Sequence, residues 1–269
     1  MNERNDKERS MNIAIVGYGK MGHMVEAAAK SLGHAVASTI DTRAEDATVR
    51  ITEGDGATLA DAVRRSGADG VIEFSHPSAA AGNVRALLPL RLPLVVGTTG
   101  WKAEEAGIRA LAAASGGTAV RSANFSLGVN LFYRIVSEAA RIVSAFDEYD
   151  CAVWEVHHNQ KADSPSGTAM EIAHRILAED GRKTALVTSA VTRKPEPHEL
   201  HVSSTRIGSV PGTHTVFFDS GADTIEMTHR ARSREGFARG AVHALARLSR
   251  ALEAGTLKPG ALYGAEDIL

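Results

Sequence analysis

Gly17-Tyr18-Gly19-Lys20-Met21-Gly22 directly follows a short, branched apolar run, Asn12–Val16. It runs into a segment with apolar residues at helical spacing: Met21, Met24, Val25, Ala28 and Leu32. A G-x-G-x-x-G turn between a strand and a helix has a narrow set of uses. The first glycine permits the tight turn, the second lets backbone approach a pyrophosphate, and the third lets the helix pack closely on the strand. The helix start offers unpaired N–H groups and the positive end of a dipole. A second strand, expected at 35–40, ends at Asp41, where an acidic side chain meets a ribose hydroxyl in such sites. Gly17, Gly19, Lys20, Met21, Gly22 and Asp41 therefore predict a dinucleotide site. Asp41 favours a 2′-hydroxyl, whereas Arg43 can accommodate a 2′-phosphate. The reading is NADH or NADPH, with use of both as the expectation.

Further strands are expected at 70–74, 92–96 and 118–123, with a helix opened by Pro77 and another near 102–114. Strands alternating with helices imply right-handed crossovers and a parallel sheet. After about residue 125 the pattern changes. A long apolar helix (Leu127, Leu131, Ile135, Ala139) leads into the strand CAVWEVHH, and a helix follows from about 165. Four strand-like runs come next, ALVTSAV, HVSSTRIG, THTVFFDS and TIEMTHRA, and then a last helix at about 234–254. Such a succession predicts a mostly antiparallel sheet. The expected fold is α/β: a Rossmann-like doubly wound parallel sheet plus a second α+β domain. The dinucleotide-binding domain is read as 11–127 with 235–269, and the substrate-binding and oligomerisation domain as 128–234. The polar stretch 1–10 is read as a disordered lead-in, with Met11 as an alternative start and ordered structure from Asn12.

Composition removes several classes. Of 269 residues, 30 are Lys or Arg and 32 Asp or Glu, so no basic excess exists for phosphate-driven nucleic-acid binding. No run of about 18 apolar residues is present, which argues against a membrane span. One cysteine, Cys151, cannot build an internal disulfide framework or a multi-cysteine metal site, and its low count fits a reducing cytoplasm. Cys151 itself reads as a small core residue.

The second constellation is Glu155-Val156-His157-His158-Asn159-Gln160-Lys161-Ala162-Asp163-Ser164-Pro165-Ser166-Gly167-Thr168. On a strand His157 and His158 point to opposite faces, so they do not share one metal, and no spacing elsewhere supports a metal site. Histidine donates protons near neutral pH. Lys161 is a compact cation suited to a carboxylate or to polarising an imine. Ser-Pro-Ser-Gly-Thr reads as a helix start, capped by Ser164 or Asp163 with Pro165 in the first turn. The N–H groups of Ser166, Gly167 and Thr168 would then form an anion site. One short segment thus combines a proton donor, a cation and a carboxylate cradle. His229, Arg230, His76 and Trp101 read more simply as strand-end or loop-packing residues.

With these motifs the chain resembles the 4-hydroxy-tetrahydrodipicolinate reductase (dihydrodipicolinate reductase) family of the diaminopimelate route to lysine. The matching pieces are GYGKMG at 17–22, EFSHP at 73–77, VVGTTGW at 95–101, SANFSLGVN at 122–130, EVHHNQKADSPSGTA at 155–169, RIGSVPGTH at 206–214 and THRARSREGFARGA at 228–241. They cover nearly the whole chain from Met11, and the histidine-pair segment is far more specific than the glycine motif. The resemblance implies NAD(P)H-dependent reduction of a small dicarboxylate, a homotetramer assembled through the second domain's sheet, and a cytoplasmic enzyme. It implies that His157 donates the proton with Lys161 as its catalytic partner. It implies that His158, Ser166, Gly167 and Thr168 hold substrate carboxylates. Gly97, Thr98 and Thr99, with Ala123, Asn124 and Phe125, match loops around the nicotinamide, and Arg234 a position near cofactor and interdomain cleft, with hinges near 127 and 235.

Two departures stand out. The glycine turn is one residue shorter than the family's commoner form, and Lys20 replaces its arginine. Asn159 replaces an arginine often seen after the histidine pair, shifting carboxylate binding toward Lys161 and the helix start. The competing readings are an amino-acid-type dehydrogenase such as an aspartate dehydrogenase, and a non-catalytic NAD(P) sensor, which has no need of the 155–168 cluster.

Overall fold

The computed structural model describes residues 9–269; positions 1–8 of the expected lead-in lie outside the described residues. Ordered contacts begin before Asn12. The Ser10 hydroxyl donates to the Gly33 carbonyl at 2.8 Å, and Met11 is buried with its N–H on His34 Nδ1. The chain divides into two compact units. One takes the residues up to Leu127 together with Glu235–Leu269, and the other is Gly128–Arg234.

The first unit contains β1 (Asn12–Val16), α1 (Lys20–Ser31), β2 (Ala35–Asp41), β3 (Val49–Arg50), α2 (Gly56–Ser66), β4 (Gly70–Glu73), α3 (Pro77–Leu87), β5 (Leu94–Val96), α4 (Glu105–Ser115) and β6 (Ala119–Arg121). The second contains α5 (Leu127–Val143), β7 (Asp150–His157), α6 (Gly167–Glu179), β8 (Ala185–Val187), β9 (Glu199–Arg206), β10 (Thr213–Asp219) and β11 (Thr224–Arg230). The chain then returns to the first unit with α7 (Glu235–Glu253) and β12 (Leu262–Gly264).

The first sheet runs β12-β6-β5-β4-β1-β2-β3 with parallel pairings. Its 3-2-1-4-5-6 core order reverses direction between β1 and β4, the crevice where doubly wound sheets bind ligands. Alternation along β1 feeds both faces. Ile13 and Ile15 pack with α1 and α7 residues such as Val25, Leu245 and Leu248. Ala14 and Val16 pack on the other side with Leu59, Val84 and Ile108 of α2, α3 and α4. Gly240 lets α7 settle against the chain: a Cβ there would lie 1.7 Å from the Phe125 carbonyl oxygen. Gly240→Ala must displace backbone rather than a flexible side chain, at an expected cost of about 3 kcal/mol. A urea midpoint equal to wild type would contradict this close approach.

The second sheet runs β11-β10-β7-β9-β8. It is mixed, which corrects the expectation of a mostly antiparallel sheet. The β7–β10 and β10–β11 pairings are antiparallel, whereas β7–β9 and β8–β9 are parallel. The physical reason is two successive crossovers, α6 from β7 to β8 and the 188–198 connection from β8 to β9, each of which returns the chain in the direction of β7. Helices α5 and α6 cover one face, where Phe132, Val136, Ile172 and Ile176 meet Val153, Val202, Val216 and Phe218. The opposite face presents Trp154, whose indole N–H reaches the Thr205 hydroxyl at 3.1 Å. The strand expected through residue 191 stops at Val187. Among the described residues no helix is long and apolar enough to cross a membrane.

Candidate active site

At the end of β1 the chain turns at Gly17 with φ of 87°. A Cβ at Gly17 would lie 2.2 Å from the Phe74 carbonyl oxygen, and one at Gly22 would lie 2.3 Å from the Gly17 carbonyl oxygen. Gly19 meets nothing within 4 Å. It is the N-cap of α1, no side chain caps it, and the first turn carries no acid. The turn therefore packs its first and third glycines against protein and leaves the second facing open space beside free helix N–H groups. That is a cradle a pyrophosphate fits. Lys20 and Met21 begin α1, Lys20 exposed and Met21 half-buried.

Asp41 ends β2 and accepts from the N–H groups of Tyr18 (2.6 Å), Arg43 (2.7 Å) and Ala44 (2.9 Å). Partial burial opposes its charge, but these backbone donors outweigh burial and hold the carboxyl below its ordinary range. The anion thus fixes the glycine turn and keeps a negative charge beside it. Arg43 is exposed and lies 3.7 Å from Glu53.

The remaining first-unit candidates follow β5 and β6. Gly97 is required by Phe74, since a Cβ would lie 2.1 Å from its ring. Thr98 is buried, and its carbonyl accepts from Trp101 Nε1 at 2.7 Å, so Trp101 pins the loop. Thr99 and Ala123 are exposed and Asn124 half-buried. The Phe125 ring is 1% exposed in the core, which leaves only its backbone to face a ligand. Arg234 is exposed at the last position of the second unit. His76 caps α3, its Nδ1 accepting from the Ser78 N–H.

In the second unit the histidine-pair segment folds around a buried carboxylate. β7 ends at His157; His158 falls just beyond it, half-buried, and its carbonyl accepts from the Lys161 N–H. Alternation sends Glu155 and His157 to the helix-covered face, and both are buried. Glu155 Oε2 accepts from His157 Nδ1. Its Oε1 accepts from Arg206 Nη2 at 2.8 Å and from the Ser166 N–H at 3.2 Å. Burial pushes this carboxyl up, but the bonds from His157 and Arg206 win and hold it at about 2.

The helix start differs from expectation by two residues. Ser166, not Ser164 or Asp163, is the N-cap of α6, and its Oγ accepts from the Ala169 N–H. Pro165 precedes the cap, following a cis peptide bond. The reason is the Ser166 N–H: committed to Glu155, it is anchored to β7, so the helix opens at Gly167. The amide of Ser166 is consequently not part of an anion cradle. Gly167 is exposed, and its N–H bonds Asp163. The Thr168 hydroxyl pairs with Tyr133, whose phenol burial pushes up to about 12. Lys161 Nζ also reaches Asp163, at 2.7 Å. Partial burial opposes the Asp163 charge, and Lys161 with the α6 amide outweighs it, holding the carboxyl below its usual range.

Several contributors escaped the sequence reading. Glu155 and Arg206 received no role there, nor did His214, which lies opposite Glu155 across the β7–β10 ladder. Its Nε2 is 3.2 Å from Ser166 Oγ. Burial, then the neighbouring His157 charge, hold His214 at about 3. The available signal was the two-residue period that puts Glu155 and His157 on one face. Glu155, His157 and His214 bring ligand-type atoms within 4.8 Å of one another. The carboxylate oxygens are already taken by His157, Arg206 and Ser166, and a dication would face the Arg206 guanidinium, so the chemistry is that of a hydrogen-bonded anion. Cys151 is buried, and burial pushes its thiol to about 12, a core residue rather than a nucleophile.

Comparison with known proteins agrees with this architecture. Residues 11–125 match the family model described as dihydrodipicolinate reductase, N-terminus, and residues 128–269 match its C-terminus. The chain is 35% identical over 232 residues to a 4-hydroxy-tetrahydrodipicolinate reductase of Christiangramia forsetii, covering 86% of this chain and 90% of that one. It is 38% identical over 241 residues to one from Archaeoglobus fulgidus, covering 87% and 92%. A solved structure of dipicolinate-bound dihydrodipicolinate reductase from Paenisporosarcina sp. TG-14 shares the fold, with TM-score 0.73 and 20% identity over 97% of this chain and 100% of that one. An engineered D-amino acid dehydrogenase bound to NADP+ aligns with TM-score 0.52 and 18% identity over 97% and 94%. Both halves of the chain and its relatives at more than 30% identity agree, and the chain belongs to the dihydrodipicolinate reductase family.

Proposed function

We propose that this protein reduces 4-hydroxy-tetrahydrodipicolinate to tetrahydrodipicolinate, with loss of water, using NADH or NADPH in diaminopimelate and lysine biosynthesis. The observation that carries the substrate class is Asp163. Lys161 and the first amide of α6 already share a carboxylate, its own side chain. Groups that hold one carboxylate in this way suit a dicarboxylate substrate, which would take the place of Asp163. We assign substrate carboxylates to Lys161, His158, Gly167, Thr168 and the Ser166 hydroxyl. The 128–234 unit is then the substrate domain, and the unit formed by 11–127 and 235–269 the dinucleotide domain.

The Gly17–Gly22 turn and Asp41 would hold the cofactor, and Gly97, Thr98, Thr99, Ala123, Asn124, the Phe125 backbone and Arg234 would contribute to its nicotinamide end. Loss of water from the 4-hydroxy substrate leaves a conjugated ring, and bound reduced nicotinamide would supply the hydride to its C4. Negative charge then grows on the substrate ring. Lys161 stabilises it electrostatically, and His157 delivers a proton to the adjacent ring carbon as general acid. We place the enzyme in the cytoplasm as a homotetramer joined through the uncovered face of the second sheet. The exposed Trp154 on that face supports this surface.

The decisive assay mixes the protein with freshly made product of dihydrodipicolinate synthase and NADH or NADPH, and follows loss of reduced-nicotinamide absorbance. Turnover with both is expected, with efficiencies within about a thousandfold, or roughly 4 kcal/mol. A wider gap removes dual use, and no turnover with either removes the assignment.

A further inference from the structure

Glu155 is fully buried and takes no part in binding or proton transfer as described above. The strand register explains what surrounds it. Across the ladders Glu155 lies opposite His214 of β10, which lies opposite His229 of β11, while His157 lies beside Arg206 of β9. Glu155, Arg206 and His214 adjoin His157, and the next charges outward, His229 of β11 and Lys161 of the following loop, act on His214. An anion buried among them without donors would be costly. Here one oxygen takes the imidazole and the other takes the Arg206 guanidinium and the Ser166 amide.

We propose that Glu155 is a positioning residue for proton transfer: it fixes the His157 ring with Nδ1–H on the carboxylate, so that Nε2 is the nitrogen that delivers the proton. An imidazole carries its proton on the nitrogen whose partner accepts it, and a carboxylate on one side settles the orientation of the other. Nε2 faces Gly212, where φ is 149° and a Cβ would lie 2.8 Å from that nitrogen. Glycine keeps this side of the ring uncrowded. The same carboxylate offsets the charge of the proton-loaded ring and of the Arg206 guanidinium, both of which it holds. His214, its ring 5.1 Å away and edge-on at 71°, stays neutral through burial and leaves the proton to His157. The Glu155–Ser166 bond couples the ring to α6, so proton donor and carboxylate seat are set by one anion.

This inference rests on His157 being the proton donor, and its test separates the two ideas. In wild-type protein labelled with [15N]histidine, long-range 15N–1H spectra above neutral pH are expected to show His157 protonated at Nδ1 and bare at Nε2, assigned by loss of the signal in His157→Gln. The opposite tautomer overturns the proposal whatever the activity. In Glu155→Gln the ring loses the carboxylate that fixes its Nδ1 and offsets its charge. The basic limb of kcat is expected to move down by about one unit or more, with a loss of roughly tenfold or more at neutral pH. A fall of equal size at every pH, with the limb unmoved, marks a merely structural residue and overturns the proposal. A wild-type enzyme inactive in the assay above refutes the functional reading while leaving the tautomer result standing.

Discussion

His157→Ala is expected to lower kcat by about 10²–10⁴-fold, a loss of roughly 3–5 kcal/mol of transition-state stabilisation. The side chain is buried at the end of β7, anchored at one nitrogen by Glu155, with the other facing Gly212. No neighbour replaces it. His214 is held neutral by burial, and Lys161 is engaged with Asp163. Binding of NADH should persist, because the glycine turn belongs to the other compact unit. Lys161→Ala is expected to fall in the same range but to raise KM as well, since in the proposed mechanism its ammonium both holds a substrate carboxylate and stabilises the growing charge. Steady-state kinetics with NADH-fluorescence titration checks both variants. Near-full activity in both would refute the role assignment. A variant that loses NADH binding together with turnover would point to misfolding instead.

What was legible in the sequence follows from how local each determinant is. The alternation of β1, α1 and β2 is written in short-range spacing, and the glycine turn needs only its own residues. The histidine-pair segment likewise stands out through residue type within one short stretch. The missed elements depend on partners far along the chain. β12 has three residues and exists because β6 offers it a parallel edge. β3 has two, held by the end of β2. α2 buries only Leu59 and Val63, too thin an apolar stripe to stand out, although Asp55 at its N-cap and Gly67 at its C-cap are ordinary helix signals. The mixed second sheet was missed because strand direction is decided by the crossovers through α6 and 188–198, not by strand composition. The α6 start was displaced by a bond from Ser166 to Glu155, eleven positions earlier. Arg206 and His214 joined the site only through register, which single-strand patterns do not encode.

Gly17→Ala and Gly19→Ala are expected to fail in different ways, and the contrast tests whether the turn is built for a ligand or only for the fold. At Gly17 the backbone is left-handed, which alone costs a non-glycine residue about 1–2 kcal/mol, and the Cβ would strike the Phe74 carbonyl at the β1–β4 switch point. This variant should lose stability and NADH binding together, with affinity down by about 100-fold or more. Gly19 has an ordinary φ of −82° and open space around its missing Cβ. Alanine there fits the free protein, and alanine is a poorer N-cap than glycine by only about 1 kcal/mol or less. Its methyl would stand where a pyrophosphate must meet backbone, so affinity should fall by roughly tenfold or more while the urea midpoint barely moves. If Gly19→Ala binds NADH as wild type does, the open face of the turn is not the phosphate seat, and the glycines serve packing alone.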